Sequence, residues 1–243
     1  MPTTPTPSPD LSTAPLPRAW EHVLSSVEEM MVAGNLLPGQ RLPGERTLAA
    51  DLGVGRSSVR EALRVMEALG LLKTQTGSGP TAGAMIVSRP TGGMTMLMRM
   101  QVAAQGFPVT DVVQTRLVLE TEVMRTLAAL PAPDLAAAVE LLDSMDEPTL
   151  TADEFLVLDA QFHVAMADAA GNQVIAAMMA GLRASIESYV IDGVDAVAWP
   201  HTCTRLRHEH RGLVDAVTHH DTGLARQRIV DHIRGYYEGV RGN

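Results

Sequence analysis

Between residues 45 and 70 two short helical stretches are joined by a glycine turn, and this constrains the fold more than any other feature of the chain. Residues 45–52 end at Gly53-Val54-Gly55, and residues 56–69 follow at once and stop at Gly70. Two short strands are then expected, at residues 71–76 and 84–88, around Gly77-Ser78-Gly79-Pro80. Two helices on so short a turn, followed by a two-strand wing, make a winged helix-turn-helix. Upstream, Trp20, Val23, Leu24, Val27, Met30 and Met31 fall at helical spacing over residues 18–32. Residues 36–45 read as a loop punctuated by Pro38, Gly39, Pro43 and Gly44. The winged unit is therefore expected over residues 17–90. Residues 1–16, rich in Pro, Thr and Ser, read as a disordered tail, because they cannot bury enough apolar surface to offset chain entropy.

The remaining residues, 91–243, read as an all-helical domain. Helices are expected over residues 94–105, 111–130, 135–145, 152–170, 174–190, 200–219 and 222–240. Pro131 and Pro133 separate the second from the third. Thr151-Ala152-Asp153-Glu154 has the form of a capping box, and Asp221 is placed to cap the last helix. Hydrophobic residues make up 46% of the chain and aromatics only 3%, which favours a mainly α fold, since straight-chain residues lose little rotamer freedom in a helix. The single cysteine, Cys203, excludes an internal disulfide framework and a cysteine-rich zinc module. No apolar run is long enough to span a membrane, and the start of the chain lacks a basic stretch followed by an apolar one. A cytoplasmic protein with no membrane partner is expected.

The formal charge of −9 is unevenly placed. Residues 1–90 hold eight basic and eight acidic residues, while residues 91–243 hold eleven and twenty. An acidic total therefore leaves room for a nucleic-acid module in the first third. In a helix-turn-helix the second helix enters the major groove, and its first residues meet base edges. Those residues are Arg56, Ser57, Ser58 and Arg60. Arginine can donate a bidentate pair to guanine, and the serines suit phosphate oxygens. Arginines on a short helix are as readily a solvated face.

The ordered string goes further. Leu37-Pro38-Gly39, Leu42-Pro43-Gly44-Glu45-Arg46, Leu48-Ala49, Leu52 to Arg56, Val59-Arg60-Glu61-Ala62-Leu63 and Leu69 to Leu72 resemble the DNA-binding domain of GntR-family transcription regulators. The resemblance implies that Arg46, Arg56 and Arg60 contact bases and phosphates and that Gly77, at the wing tip, approaches the minor groove. Gly44 and Gly55 stand where the family commonly has Ser or Thr as helix N-caps, so one phosphate contact is in question.

A second cluster is made of His and Asp. Asp159 and His163 are four residues apart and project from one helical face. His210 and His232 lie on two later helices. A lone His is most often a satisfied core residue, but three imidazoles and a carboxylate on three helices can hold a divalent transition metal with positions left open. The pattern Asp159-x-x-Phe162-His163, Ala170-Gly171-Asn172, Glu209-His210, Ala216-Val217, Asp221, Ala225 and His232 resembles the FCD ligand-binding domain of the FadR-type branch of the same family. Arg116-x-x-Leu119-Glu120 matches a further element of it. The resemblance implies an antiparallel bundle, here in a seven-helix version, with metal ligands Asp159, His163, His210 and His232 and a small carboxylate effector. Zinc stands first as the metal, with nickel, iron and manganese also suited. Arg116 could pair with the effector, or with Glu120 as a surface i,i+4 ion pair. Asn172 could donate into the pocket, or belong to a helix end and turn. The alternating Met94, Met96, Met98 and Met100 read as flexible packing rather than a metal box.

The expected function is a homodimeric, ligand-responsive regulator that reads an inverted-repeat operator in double-stranded DNA, by family habit more often as a repressor. Three rivals stay open. In one the metal is itself the signal. In another the centre is a metal-dependent hydrolase, for which a general base is missing, since Glu209 should face away from His210. In the third the chain is an architectural DNA binder with an empty bundle.

Overall fold

A computed structural model describes residues 18–75, 83–87, 92–104, 107–191 and 199–241 of the 243. The chain divides after Pro90 into two compact units.

The first unit contains α1 (Ala19–Val32), α2 (Glu45–Asp51), α3 (Arg56–Ala68), β1 (Leu72–Gln75) and β2 (Gly83–Ile86). Gly53, with φ of 65°, takes the left-handed conformation that turns the chain between α2 and α3. Gly70, with φ of 71°, does the same at the end of α3. Val23 and Val27 of α1 meet Leu48 of α2, Val59 and Ala62 of α3 and Leu72 and Ile86 of the strands in one buried core. The strands are antiparallel, with Leu72 opposite Ile86 and Gln75 opposite Gly83. The residues read as a plain loop do more than connect. Arg41 bridges Met85, Leu42 N–H donates to the Ala84 carbonyl, and Ile86 N–H donates to the Gln40 carbonyl, each at 2.9 Å for the latter two. The segment thereby satisfies backbone groups on the free edge of β2. The wing tip, Gly77 included, and the tail 1–16 lie outside the described residues.

The second unit has seven helices among the described residues. They are α4 (Gly92–Ala103), α5 (Val109–Ala129), α6 (Ala136–Met145), α7 (Ala152–Ala169), α8 (Gln173–Ile191), α9 (Trp199–Thr218) and α10 (Thr222–Arg241). The capping box at α7 forms: Thr151 Oγ1 accepts from Glu154 N–H, and Glu154 Oε2 accepts from Thr151 N–H at 2.9 Å. Asp221 Oδ1 accepts from Leu224 N–H at 2.9 Å and caps α10. Helix α5 packs against α7, α8, α9 and α10, so one face of it looks into the middle of the bundle. Leu127, Phe155, Phe162, Met179, Leu206, Leu213 and Ile233 fill that middle. The methionines of α4 divide. Met98 packs on α8 at Gly181, where an added Cβ would lie 3.0 Å from the Met98 side chain. Met94, Met96 and Met100 are exposed, because an every-second-residue spacing cannot place all four on one helical face.

Candidate metal centre and nucleic-acid interface

Asp159 and His163 lie one turn apart on α7 and face His210 of α9 and His232 of α10. One ligand atom from each of the four lies within 4.8 Å of the others, and all four side chains are buried. Phe162 packs edge-on to His163 and tilts against His210, with ring centroids 5.2 and 4.9 Å away, which fixes both imidazoles from the apolar side. Asp159 Oδ1 sits 2.9 Å from His210 Nε2 and 3.9 Å from His163 Nε2. The shorter approach lies off the direction of a hydrogen bond. His163 Nε2 and both ring nitrogens of His210 are buried with no hydrogen-bond partner among the described residues. Each such orphan costs about 1–3 kcal/mol unless something accepts it. A cation that takes one lone pair from each imidazole satisfies His163 Nε2 and one nitrogen of His210, so the donor set fits a divalent transition metal.

A second layer of carboxylates orients the imidazoles. His163 Nδ1 lies 2.7 Å from Glu120 Oε2 of α5. His232 Nδ1 lies 2.8 Å from Glu209 Oε2 of α9. An Nδ1–H held by a carboxylate leaves Nε2 with its lone pair turned to the centre, the arrangement that metal-binding histidines use. Glu209 therefore does not face away from the site, as its neighbour position to His210 suggests. It points past His210 and meets His232, because α9 and α10 pack side by side.

Two buried arginines complete the arrangement. Arg116 Nε lies 2.6 Å from Glu120 Oε1, and Arg116 is 1% exposed. The i,i+4 pair is thus made, but as a buried pair and not a surface one. Arg116 Nη1 also reaches the Tyr237 hydroxyl at 3.5 Å. Arg183 of α8 donates from Nη1 to Asp159 Oδ2 at 2.8 Å and from Nη2 to Glu120 Oε2 at 3.1 Å. Burial opposes the charge on Asp159, but Arg183, His210 and His163 outweigh it and hold its carboxyl well below the usual range. Glu120 is likewise held low against burial by Arg116, Arg183 and His163. Burial and then Arg183 push His163 well down. Burial lowers His232 to about 4, against the opposing pull of Glu209. The two buried carboxylates, Asp159 and Glu120, thus face two buried guanidinium groups, Arg116 and Arg183.

Beside the centre, Glu120, His163, Phe162, Met124, Met179 and Leu213 line a cavity of about 10 Å³. That is room for about one water. Asn172 is placed elsewhere. It is exposed, and its Oδ1 accepts from Val174 N–H at 3.1 Å and Ile175 N–H at 3.2 Å, so it caps the start of α8. Sequence reasoning missed Arg183, and saw Glu120 and Glu209 without their roles. A signal for Arg183 existed: it is the one charged residue in the apolar stretch from Val174 to Ile186.

In the first unit, Arg46, Arg56, Ser57 and Arg60 are exposed and Ser58 is half-buried. Arg60 Nε donates to Glu45 Oε2 at 2.7 Å, and Arg56 Nη2 is 4.0 Å from the same oxygen. Glu45 thus gathers two arginines at the start of α3. Gly55 caps α3 and Gly44 caps α2, neither with a side-chain bond.

A winged helix-turn-helix joined to an all-helical domain with a buried His/Asp cluster is the organisation of a DNA-binding transcription regulator. Comparison with known proteins gives the family. Residues 20–81 match the gntR family of bacterial regulatory proteins, and residues 111–235 match the FCD domain. The chain belongs to the GntR family of transcription regulators and carries an FCD domain. It is 26% identical to the Glc operon transcriptional activator of Escherichia coli K12 over 88% of this chain and 85% of that one. It is 30% identical to the HTH-type transcriptional repressor NanR of Salmonella newport over 88% and 82%. Among solved structures, Streptococcus agalactiae GntR shares the fold with a TM-score of 0.57 at 22% identity, over 90% of this chain and 99% of that one. These relatives are regulators and not enzymes, and they include both an activator and a repressor.

Proposed function

We propose that this regulator binds one divalent transition metal at Asp159, His163, His210 and His232 and uses it to sense a small carboxylate effector. The observation that carries the reading is the set of four buried ligand atoms within 4.8 Å, with the outward nitrogens of His163 and His232 held by Glu120 and Glu209. A metal there would supply a Lewis-acidic anchor for an anion. The chain's own residues fix the tautomers, exclude water and hold the surrounding charge in balance. The effector's differential affinity for two arrangements of the bundle is what shifts DNA binding. Arg116 is committed to Glu120, and it acts on an effector through that pair.

On DNA, the protein acts as a homodimer at an inverted repeat, in the cytoplasm where the DNA is, and by the NanR likeness as a repressor. Arg56, Arg60 and Ser57 at the start of α3 read and clamp the major groove, with Ser58 and Arg46 on phosphates and Gly77 at the minor groove. Capture of genomic fragments by the purified protein at near-physiological salt tests this, since non-specific phosphate binding is weak there. One enriched inverted repeat supports the reading. No enrichment in the presence or absence of metal contradicts it.

A further inference from the structure

Asp159 is a divided carboxylate. Its Oδ1 faces His210 Nε2 at 2.9 Å and His163 Nε2 at 3.9 Å, while its Oδ2 accepts from Arg183 Nη1 at 2.8 Å. The same guanidinium is pinned at its other end. Arg183 Nη2 bonds Glu120 at 3.1 Å, and Glu120 is held in turn by Arg116 at 2.6 Å and by His163 Nδ1 at 2.7 Å. Arg183 is only 5% exposed, so water does not compete for these bonds. A planar guanidinium bridging two carboxylates fixes both the distance and the tilt of Asp159, which a lysine ammonium, a single point charge, does not do.

We infer that Arg183 is a positioning residue that keeps Asp159 a one-oxygen ligand, so that a bound metal retains two positions for a bidentate effector, a carboxylate carrying a second donor such as an α-hydroxyl. The inference rests on the metal and effector reading above. Three Nε2 atoms and one carboxylate oxygen are four donors, and an ion that favours six keeps two places open. If Asp159 used both oxygens, one place would remain and a chelating acid would have no advantage over a simple one. Arg183 Nε is also buried without a partner among the described residues, a donor that a carboxylate oxygen would satisfy.

The test uses the full-length protein loaded with Mn²⁺. Water-proton relaxation counts the exchangeable waters on the bound ion, and titrations compare L-lactate with propionate, which differ by the hydroxyl. Wild type should show two waters and prefer lactate by about tenfold or more, the gain from a tethered second donor. In Arg183→Met the count should fall to one and the preference should vanish, with Mn²⁺ still bound. Arg183→Lys keeps the charge without the planar fork and should restore neither, whereas a purely electrostatic role would be restored. Two waters and an unchanged preference in Arg183→Met overturn the inference. So does a single water on the wild type, a result that needs no variant to fold. If the wild type fails to bind Mn²⁺, zinc or nickel, the metal reading itself falls. If two waters are present but neither acid binds, the effector reading falls while the water count in Arg183→Met still decides the role of Arg183.

Discussion

Replacing Glu209 by Ala separates the orienting layer of the centre from its folding role. Glu209 Oε2 takes the Nδ1–H of His232 at 2.8 Å, and its other oxygen takes Arg205 Nη1 at 2.6 Å. The Glu209 side chain is 25% exposed and that of Arg205 39%, so neither deletion strands a charge in the core. Loss of the Arg205 pair costs about 1 kcal/mol or less, and the buried His232 Nδ1–H, left without an acceptor, adds about 1–3 kcal/mol. Metal binding suffers as well. Without the carboxylate the His232 ring loses both its tautomer lock and some basicity, and loss of such an outer partner weakens metal affinity by about 10- to 100-fold. That corresponds to about 1.4–2.7 kcal/mol. Competition against a chromophoric chelator at pH 7.5 measures the affinity, and thermal unfolding of the metal-free variant measures the fold. Glu209→Gln, which can still accept from Nδ1, should fall between wild type and Ala. If Glu209→Ala binds zinc as tightly as wild type, then His232 Nε2 is not a ligand oriented by Glu209. If the metal-free variant loses much more than about 4 kcal/mol of stability, Glu209 holds the bundle together and does more than orient His232.

Arg56→Ala, at an exposed position, should weaken binding to the selected repeat by about 1–3 kcal/mol with unchanged thermal stability, read by fluorescence anisotropy; equal operator affinity would sink the assignment. His232 titrates at about 4 in the fold against 6.5 for a free imidazole, so the unfolded chain binds the extra proton between those values. That contribution is fully present above pH 6.5 and is lost as pH falls toward 4, by about 3 kcal/mol in chelator-treated protein; flat urea stability over that window would refute it. The depressed His163 and the buried carboxylates act in the same direction. Gly44→Ser adds a hydroxyl at the N-cap of α2, where a Cβ meets nothing within 4 Å, and should stabilise the first unit by a few tenths of a kcal/mol. A lower melting temperature for this variant would show that Gly44 is needed for its backbone.

Much of this architecture is written locally. The turn at Gly53 to Gly55, the capping box at Thr151 and the cap at Asp221 are each local signals, and each forms where the residues place it. The four-residue spacing of Asp159 and His163 likewise fixes one shared face. What the sequence hides is tertiary. Arg183 meets Asp159 and Glu120 across 24 and 63 residues, and nothing in its neighbours states which carboxylates it will find. Glu209 illustrates the same limit from the other side. Its position beside His210 correctly turns it off the face of that residue, but the neighbour it meets there, His232, is set by how α9 packs on α10. Asn172 follows a local rule that was available, since an Asn at the start of an apolar helical run is a strong N-cap. The edge pairing of residues 40–42 with β2 came from backbone satisfaction and left no pattern in the side chains.

The measurement that tests the account most directly is the metal content of the full-length protein, purified without metal-affinity resin and analysed by inductively coupled plasma mass spectrometry. The centre of Asp159, His163, His210 and His232 predicts one transition-metal ion per wild-type chain and none in a folded His163→Ala/His210→Ala variant. A wild-type chain that takes up no ion even after incubation with zinc, nickel, iron or manganese, or a double variant that keeps its ion, would contradict it.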